Sequence, residues 1–210
     1  MEFNSQSLQD KFILSLLSEK KHGFFLDIGS RHPSTLNTSY ILEKNYNWHG
    51  LSVNNDIYSE LLYTTMRTSP HIMQDPTTVD YAGLFRQYSF PPQMDYLQIN
   101  LDVQSGTALK TLERISSLFS TYTFSIVIFK HDIYTGNHYN TRNRSRQIFQ
   151  RNGYILLFGD VRHGGNQYED WYVHPDHVNM RRVDSIKTSE SLEYTELSER
   201  LDRIYTFTST

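Results

Sequence analysis

The side chains best suited to chemistry recur at one kind of place in this sequence, the polar residues that close a short apolar run. Asp27, Gly29 and Ser30 end the run GFFLDIG and its turn, Asn54 ends HGLSVN, and Asp75 follows a brief third run. Asn100 and Asp102 end MDYLQINLD, His131 and Asp132 follow FSIVIFK, and Asp160 lies in YILLFGDV. Acids and amides can hydrogen-bond ribose hydroxyls or hold an ammonium, and a glycine lets the backbone approach a nucleotide-like ligand. His131 ionises ordinarily nearest to neutrality, which makes it the general-base candidate, with Asp132 or Asp102 to orient it. Strand-to-helix turns also use Asp, Asn and Gly for capping, so each position alone is open to a structural reading. Taken together, the ends favour a site.

The elements that would carry these residues alternate. Apolar runs at 23–29, 49–54, 71–75, 94–102, 124–131, 154–161 and 170–174 read as strands. Helical spacing appears in residues 7–21, 35–44, 57–66, 77–88, 107–119 and 142–152, with Ser7 as the N-cap of the first. Such alternation predicts an α/β fold, a doubly wound and mainly parallel sheet with helices on both faces. Ligands of such sheets bind beyond the carboxyl ends of the strands, where these polar residues collect. One domain over residues 1–210 is expected, with an N-terminal helix within 1–22. A polar tail from 180 to 210, holding one helix near 189–203, is expected to be peripheral.

Composition narrows the chemistry. There is no cysteine, which removes disulfides, thiolate metal sites and cysteine nucleophiles. A formal net charge of −3 gives no general attraction to nucleic acid or to an anionic membrane. No signal-peptide pattern or bilayer-length apolar run is present, so a cytoplasmic protein is expected. The oligomeric state is not legible.

Other constellations carry less. Asp102, Asp132 and Asn100 form an oxygen-rich set that would suit a divalent metal such as Mg²⁺, but the histidines read as turn caps and no metal is favoured. The arginines 142, 144, 146 and 151 read as a solvated helix face rather than a phosphate grip. Trp171 and Tyr172 suit a sugar-binding wall or a packed core equally. Residues 134–141 (YTGNHYNT) lack apolar periodicity and read as a lid.

In the order and spacing of its blocks the chain resembles the FkbM-like methyltransferases. The blocks are Gln6, Gln9-Asp10, GFFLDIGSRHP, Asn37-Thr38, Leu42-Glu43, WHGLSV and Arg67, then MDYLQINLD, FKHD, Arg146 and RNGYILLFGDV…EDWYVHP. The resemblance implies the doubly wound methyltransferase sheet, S-adenosylmethionine as cofactor, and O-methylation of a small-molecule or glycan hydroxyl. It implies that Asp27, Gly29 and Ser30 line the methionine end, that Asn54 faces the ribose, and that Asp75 sits by the adenine. Asn100 and Asp102 would flank the reacting centre, beside His131 and Asp132. The family pattern prefers acids where this chain has Asn54 and Asn100, and Glu where it has Lys130. Those departures support a second reading, a non-catalytic protein of the same fold that binds a nucleoside or glycan.

Overall fold

The computed structural model describes residues 3–206. Seven strands form one sheet in the order β3-β2-β1-β4-β5-β7-β6. They are β1 (Phe24–Ile28), β2 (His49–Asn54), β3 (His71–Met73), β4 (Gln93–Ile99), β5 (Thr123–Lys130), β6 (Ile155–His163) and β7 (Asn166–Val173). The first five pair in parallel, and β7 runs antiparallel to both its neighbours. Among the described residues the α-helices are α1 (Gln9–Leu16), α2 (Thr38–Tyr46), α3 (Ile57–Met66), α4 (Tyr81–Gln87), α5 (Thr107–Ser116), α6 (Tyr139–Arg151), α7 (Met180–Ile186) and α8 (Tyr194–Thr206).

Alternation along the buried strands divides the core. Phe25, Tyr96, Ile126, Ile128, Trp171 and Val173 pack on one face with residues of α1, α2, α7 and α8. Leu26, Ile28, Leu97, Val127, Phe129 and Tyr172 pack on the other with residues of α4, α5 and α6. Successive residues of a strand therefore serve opposite faces, as the period of two requires.

Three expectations need correction. The tail is not peripheral: Val183, Ile186, Leu197, Leu201 and Ile204 are buried in the first core, and Lys11 of α1 meets Asp202 at 2.6 Å. Its polar composition hid an apolar stripe that α1 covers; residues 207–210 lie outside the described residues. Ser7 does not cap α1, whose N-cap is Leu8 in a left-handed conformation with no side-chain bond. Ser7 Oγ instead lies 3.0 Å from His163 Nδ1. The last strand begins at Asn166 rather than 170, because Gly164 and Gly165, both at positive φ, turn β6 into β7 as a hairpin with His163 opposite Asn166.

Candidate active site

β1 and β4 are adjacent, and β2 and β5 lie to either side, so the connections leave in opposite directions at the β1/β4 boundary. Sheets of this kind open a crevice at that switch point. Here it is a cavity of about 490 Å³ lined by Gly29, Ser30, Asn54, Asn100, Asp102 and Asp132, among others. A second cavity of about 130 Å³ shares the wall made by Asn100, Lys130 and Asp132 and extends to Gln9, Tyr134 and Glu169. The larger falls within the usual range for small-molecule sites, roughly 300–1,000 Å³.

The turn after β1 is built by backbone contact. Gly29 has φ +88, and a Cβ there would stand 2.2 Å from the Asn100 carbonyl oxygen. The glycine thus lets the ends of β1 and β4 close on one another, and a cleft wall results. Asn54 clamps this turn to the next: its Nδ2 donates to the Ser30 carbonyl at 2.7 Å, while its Oδ1 accepts from the Asp56 amide at 3.1 Å and from Ser59 Oγ at 3.3 Å. An amide suits this position because it must donate on one side and accept on the other. Asn54→Asp would set a carboxylate oxygen against the Ser30 carbonyl. We expect it to cost about 1–3 kcal/mol at neutral pH. Urea denaturation checks this, and unchanged stability would mean that the clamp is dispensable.

Other residues from the sequence reading stand away from the cleft. Asp27 is fully buried and lines neither cavity. It accepts from Ser39 Oγ at 2.6 Å, and Ser39 in turn accepts from Arg67 Nη2 at 3.0 Å. Burial raises the Asp27 pKa against the opposing pull of Ser30, Ser39 and Arg67. Asp75 is exposed and lines neither cavity; the Thr77 amide and hydroxyl, both at 2.8 Å, hold its carboxyl below the ordinary value. Asp102 does border the cleft, but it also accepts from the amides of Gln104 and Ser105, each at 3.1 Å. Ser105 chiefly accounts for its lowered pKa.

His131 does not face the cleft. The amides of His131 and Asp132 both donate to the Tyr168 carbonyl, at 2.7 and 2.9 Å, and Asp132 then takes a left-handed φ of 43. That reversal leaves Asp132 in the cleft wall, with His131 fully buried and its Nε2 3.4 Å from Oδ1 of both Asp160 and Asp170. Asp132 Oδ2 pairs with Lys130 Nζ at 3.0 Å, whereas its Oδ1 is buried without a hydrogen-bond partner. The charge of Lys130 is therefore matched locally.

Among the described residues, His131, Asp160 and Asp170 form a group with metal-ligand spacing. The site already holds a cation: Arg146 Nη2 lies 2.7 Å from Asp170 Oδ1 and 2.8 Å from Asp160 Oδ1. Arg142 adds a two-pronged contact to Asp160 at 3.1 Å to each oxygen. Arg142 and Arg146 are therefore internal clamps rather than part of a solvated face, because Asp160 of β6 and Asp170 of β7 lie beneath them, whereas Arg144 meets the exposed Glu113 of α5 at 3.5 Å and Arg151 is exposed. Trp171 and Tyr172 are core residues, and residues 139–141 of the expected lid open α6.

Sequence reasoning did not single out Glu169 as a catalytic or cofactor-binding residue. It lies buried on β7 and lines the smaller cavity, accepting at Oε1 from Gln9 Nε2 at 2.9 Å and Trp171 Nε1 at 2.6 Å. Burial raises its pKa to about 7, against the pull of Trp171, Tyr168, Gln9 and Lys130. The signal was an acid pair, Glu169-Asp170, within an otherwise aromatic and apolar run.

The sequence matches no protein-family model and no curated protein significantly. Solved structures do match. Human methyltransferase-like protein 13 in complex with SAH aligns at 14% identity and TM-score 0.55, over 96% of this chain and 91% of that one. A TehB-like SAM-dependent methyltransferase from Corynebacterium glutamicum aligns at 8% identity and TM-score 0.50, over 79% and 86%. The precorrin-6y C5,15-methyltransferase of Geobacter metallireducens aligns at 10% identity and TM-score 0.50, over 82% and 93%. No helix among the described residues is long and apolar enough to cross a membrane. The chain has the Rossmann-like fold of the class I, S-adenosylmethionine-dependent methyltransferases.

Proposed function

We propose that this chain binds S-adenosylmethionine in the cleft at the β1/β4 boundary and transfers its methyl group to a hydroxyl of a small molecule or glycan. The observation that carries the reading is the cleft itself, a cavity of about 490 Å³ at the switch point with Gly29, Asn100 and Asp132 in its wall. The buried, unpartnered Oδ1 of Asp132 is an acceptor that a ligand hydroxyl or ammonium would satisfy. The cofactor supplies an already activated methyl on a sulfonium. The protein's task is then to align the acceptor oxygen with that carbon and to exclude water. Because one fold serves many chemistries, the hydroxyl acceptor rests on the FkbM-like resemblance, and the protein names of the solved structures do not choose it.

Calorimetric titration with S-adenosylmethionine and S-adenosylhomocysteine tests the reading. Both are expected to bind one site, the cleft lined by Gly29, Asn100 and Asp132. Failure of both to bind would overturn it. Binding of both with no transfer to any acceptor would favour the non-catalytic alternative, which the amides at 54 and 100 support.

A further inference from the structure

Two adjacent acids on β7 face opposite sides of the sheet and live in opposite surroundings. Asp170 shares its face with Tyr172 and meets Arg146, whereas Glu169 shares its face with Trp171 and meets neutral donors, Gln9 and Trp171. Where environments push two neighbouring carboxyls apart, the one held near neutrality is the candidate proton carrier. Glu169 also reaches a cavity that the cofactor cleft does not use. That cavity meets the cleft at Asn100, Lys130 and Asp132, and Asp132 keeps a buried Oδ1 without a hydrogen-bond partner.

We propose that the smaller cavity is the acceptor subsite and that Glu169, rather than His131, takes the proton from the acceptor hydroxyl. The inference rests on the methyl-transfer reading. Its size, about 130 Å³, admits one hydroxyl-bearing group of an acceptor rather than a large molecule. The hydroxyl donates to the Glu169 carboxylate. As its oxygen bonds to the methyl carbon, the carbon–sulfur bond breaks and its electron pair returns to sulfur. The acceptor's proton passes to Glu169, leaving a methyl ether, neutral S-adenosylhomocysteine and a protonated glutamate that later yields its proton to water. A carboxyl with pKa about 7 is half-ionised at neutral pH and suited to that exchange. The charged and titratable groups around it are Lys130, its cross-strand partner at the end of β5, Asp132 just beyond β5, His163 on β6, Tyr96 on β4 and Tyr168 on its own strand.

Glu169→Gln keeps an acceptor for Gln9 and Trp171 and removes the titration. Radiolabelled methyl transfer to a panel of methyl glycosides and phenols is expected to fall about 100-fold or more. Donor affinity by calorimetry should be unchanged. The wild-type rate should rise with pH through a midpoint near 7, and that limb should vanish in the variant. Gln9→Leu should move the midpoint upward, because the carboxylate loses a donor. A second readout needs no acceptor. The Trp171 indole donates to Glu169 at 2.6 Å, so tryptophan emission should titrate near pH 7 in the wild type and not in Glu169→Gln. If nothing in the panel turns over, the emission alone decides. Identical emission titrations, or transfer by the variant at the wild-type rate, overturn the inference and leave donor binding and the methyl-transfer reading standing. A wild-type chain that binds neither cofactor form removes both.

Discussion

Asp170→Asn is expected to cost the fold about 3–5 kcal/mol at pH 7, the usual penalty for removing one partner from a buried ion pair. Asp170 is fully buried and accepts from Arg146 Nε and Nη2, both at 2.7 Å, from the Asp160 amide at 2.8 Å and from the Tyr172 hydroxyl at 3.0 Å. Burial would raise its pKa, but Arg146 and His131 outweigh it and hold the carboxyl well below the ordinary 3.8. The folded state thus binds the proton less tightly than the unfolded chain. The resulting stability is present above the ordinary value and is lost as pH falls through the lower, folded one. Urea denaturation at pH 7 measures the loss, and the gap between wild type and variant should narrow as the pH drops below about 4. A variant within about 1 kcal/mol of wild type at pH 7 would mean that the clamp is not a stabilising unit.

Gly29→Ala should cost on the order of 3 kcal/mol and abolish measurable cofactor binding, since a Cβ must displace the backbone that forms the cleft wall. Positive φ alone accounts for only part of this, about 1–2 kcal/mol. The remainder is the collision with the Asn100 carbonyl at 2.2 Å. The fold provides its own control. Gly106 has φ +74 with nothing within 4 Å of an added Cβ, so Gly106→Ala should show the conformational cost without the collision. Thermal unfolding of the two variants checks the difference, and calorimetry on the folded fraction checks binding. Equal costs at the two positions would show that β1 and β4 separate easily, and that Gly29 is not what shapes the cleft.

The sequence determined the sheet. The parallel strands β1, β2, β4 and β5 read as short apolar runs, because strands buried on both faces tolerate few polar interruptions, whereas the polar first half of β7, Asn166 to Glu169, did not read as strand. The spans of β2 and α3 are legible to the residue, since HGLSVN and the segment from Ile57 to Met66 are bounded by Asn, Asp and Arg. The polar ends of the parallel strands were legible too, and Gly29, Ser30, Asn54, Asn100, Asp102 and Asp132 do meet in one cleft. Only the tertiary structure decided which way each side chain faced. His131 and Asp132 are consecutive, and the left-handed turn at Asp132, tied to the Tyr168 carbonyl, puts one in the cleft wall and the other among Asp160, Asp170 and Arg146. The same holds for Arg142 and Arg146 of α6, whose partners lie on strands that follow them in sequence, and for Leu197, Leu201 and Ile204, whose stripe is buried against the first helix of the chain. Glu169 could not be weighed from sequence, because its environment is assembled from Gln9 at one end of the chain and Lys130 and Trp171 far along it. A proton affinity depends on burial and on neighbours in space, and neither is a local property of the sequence.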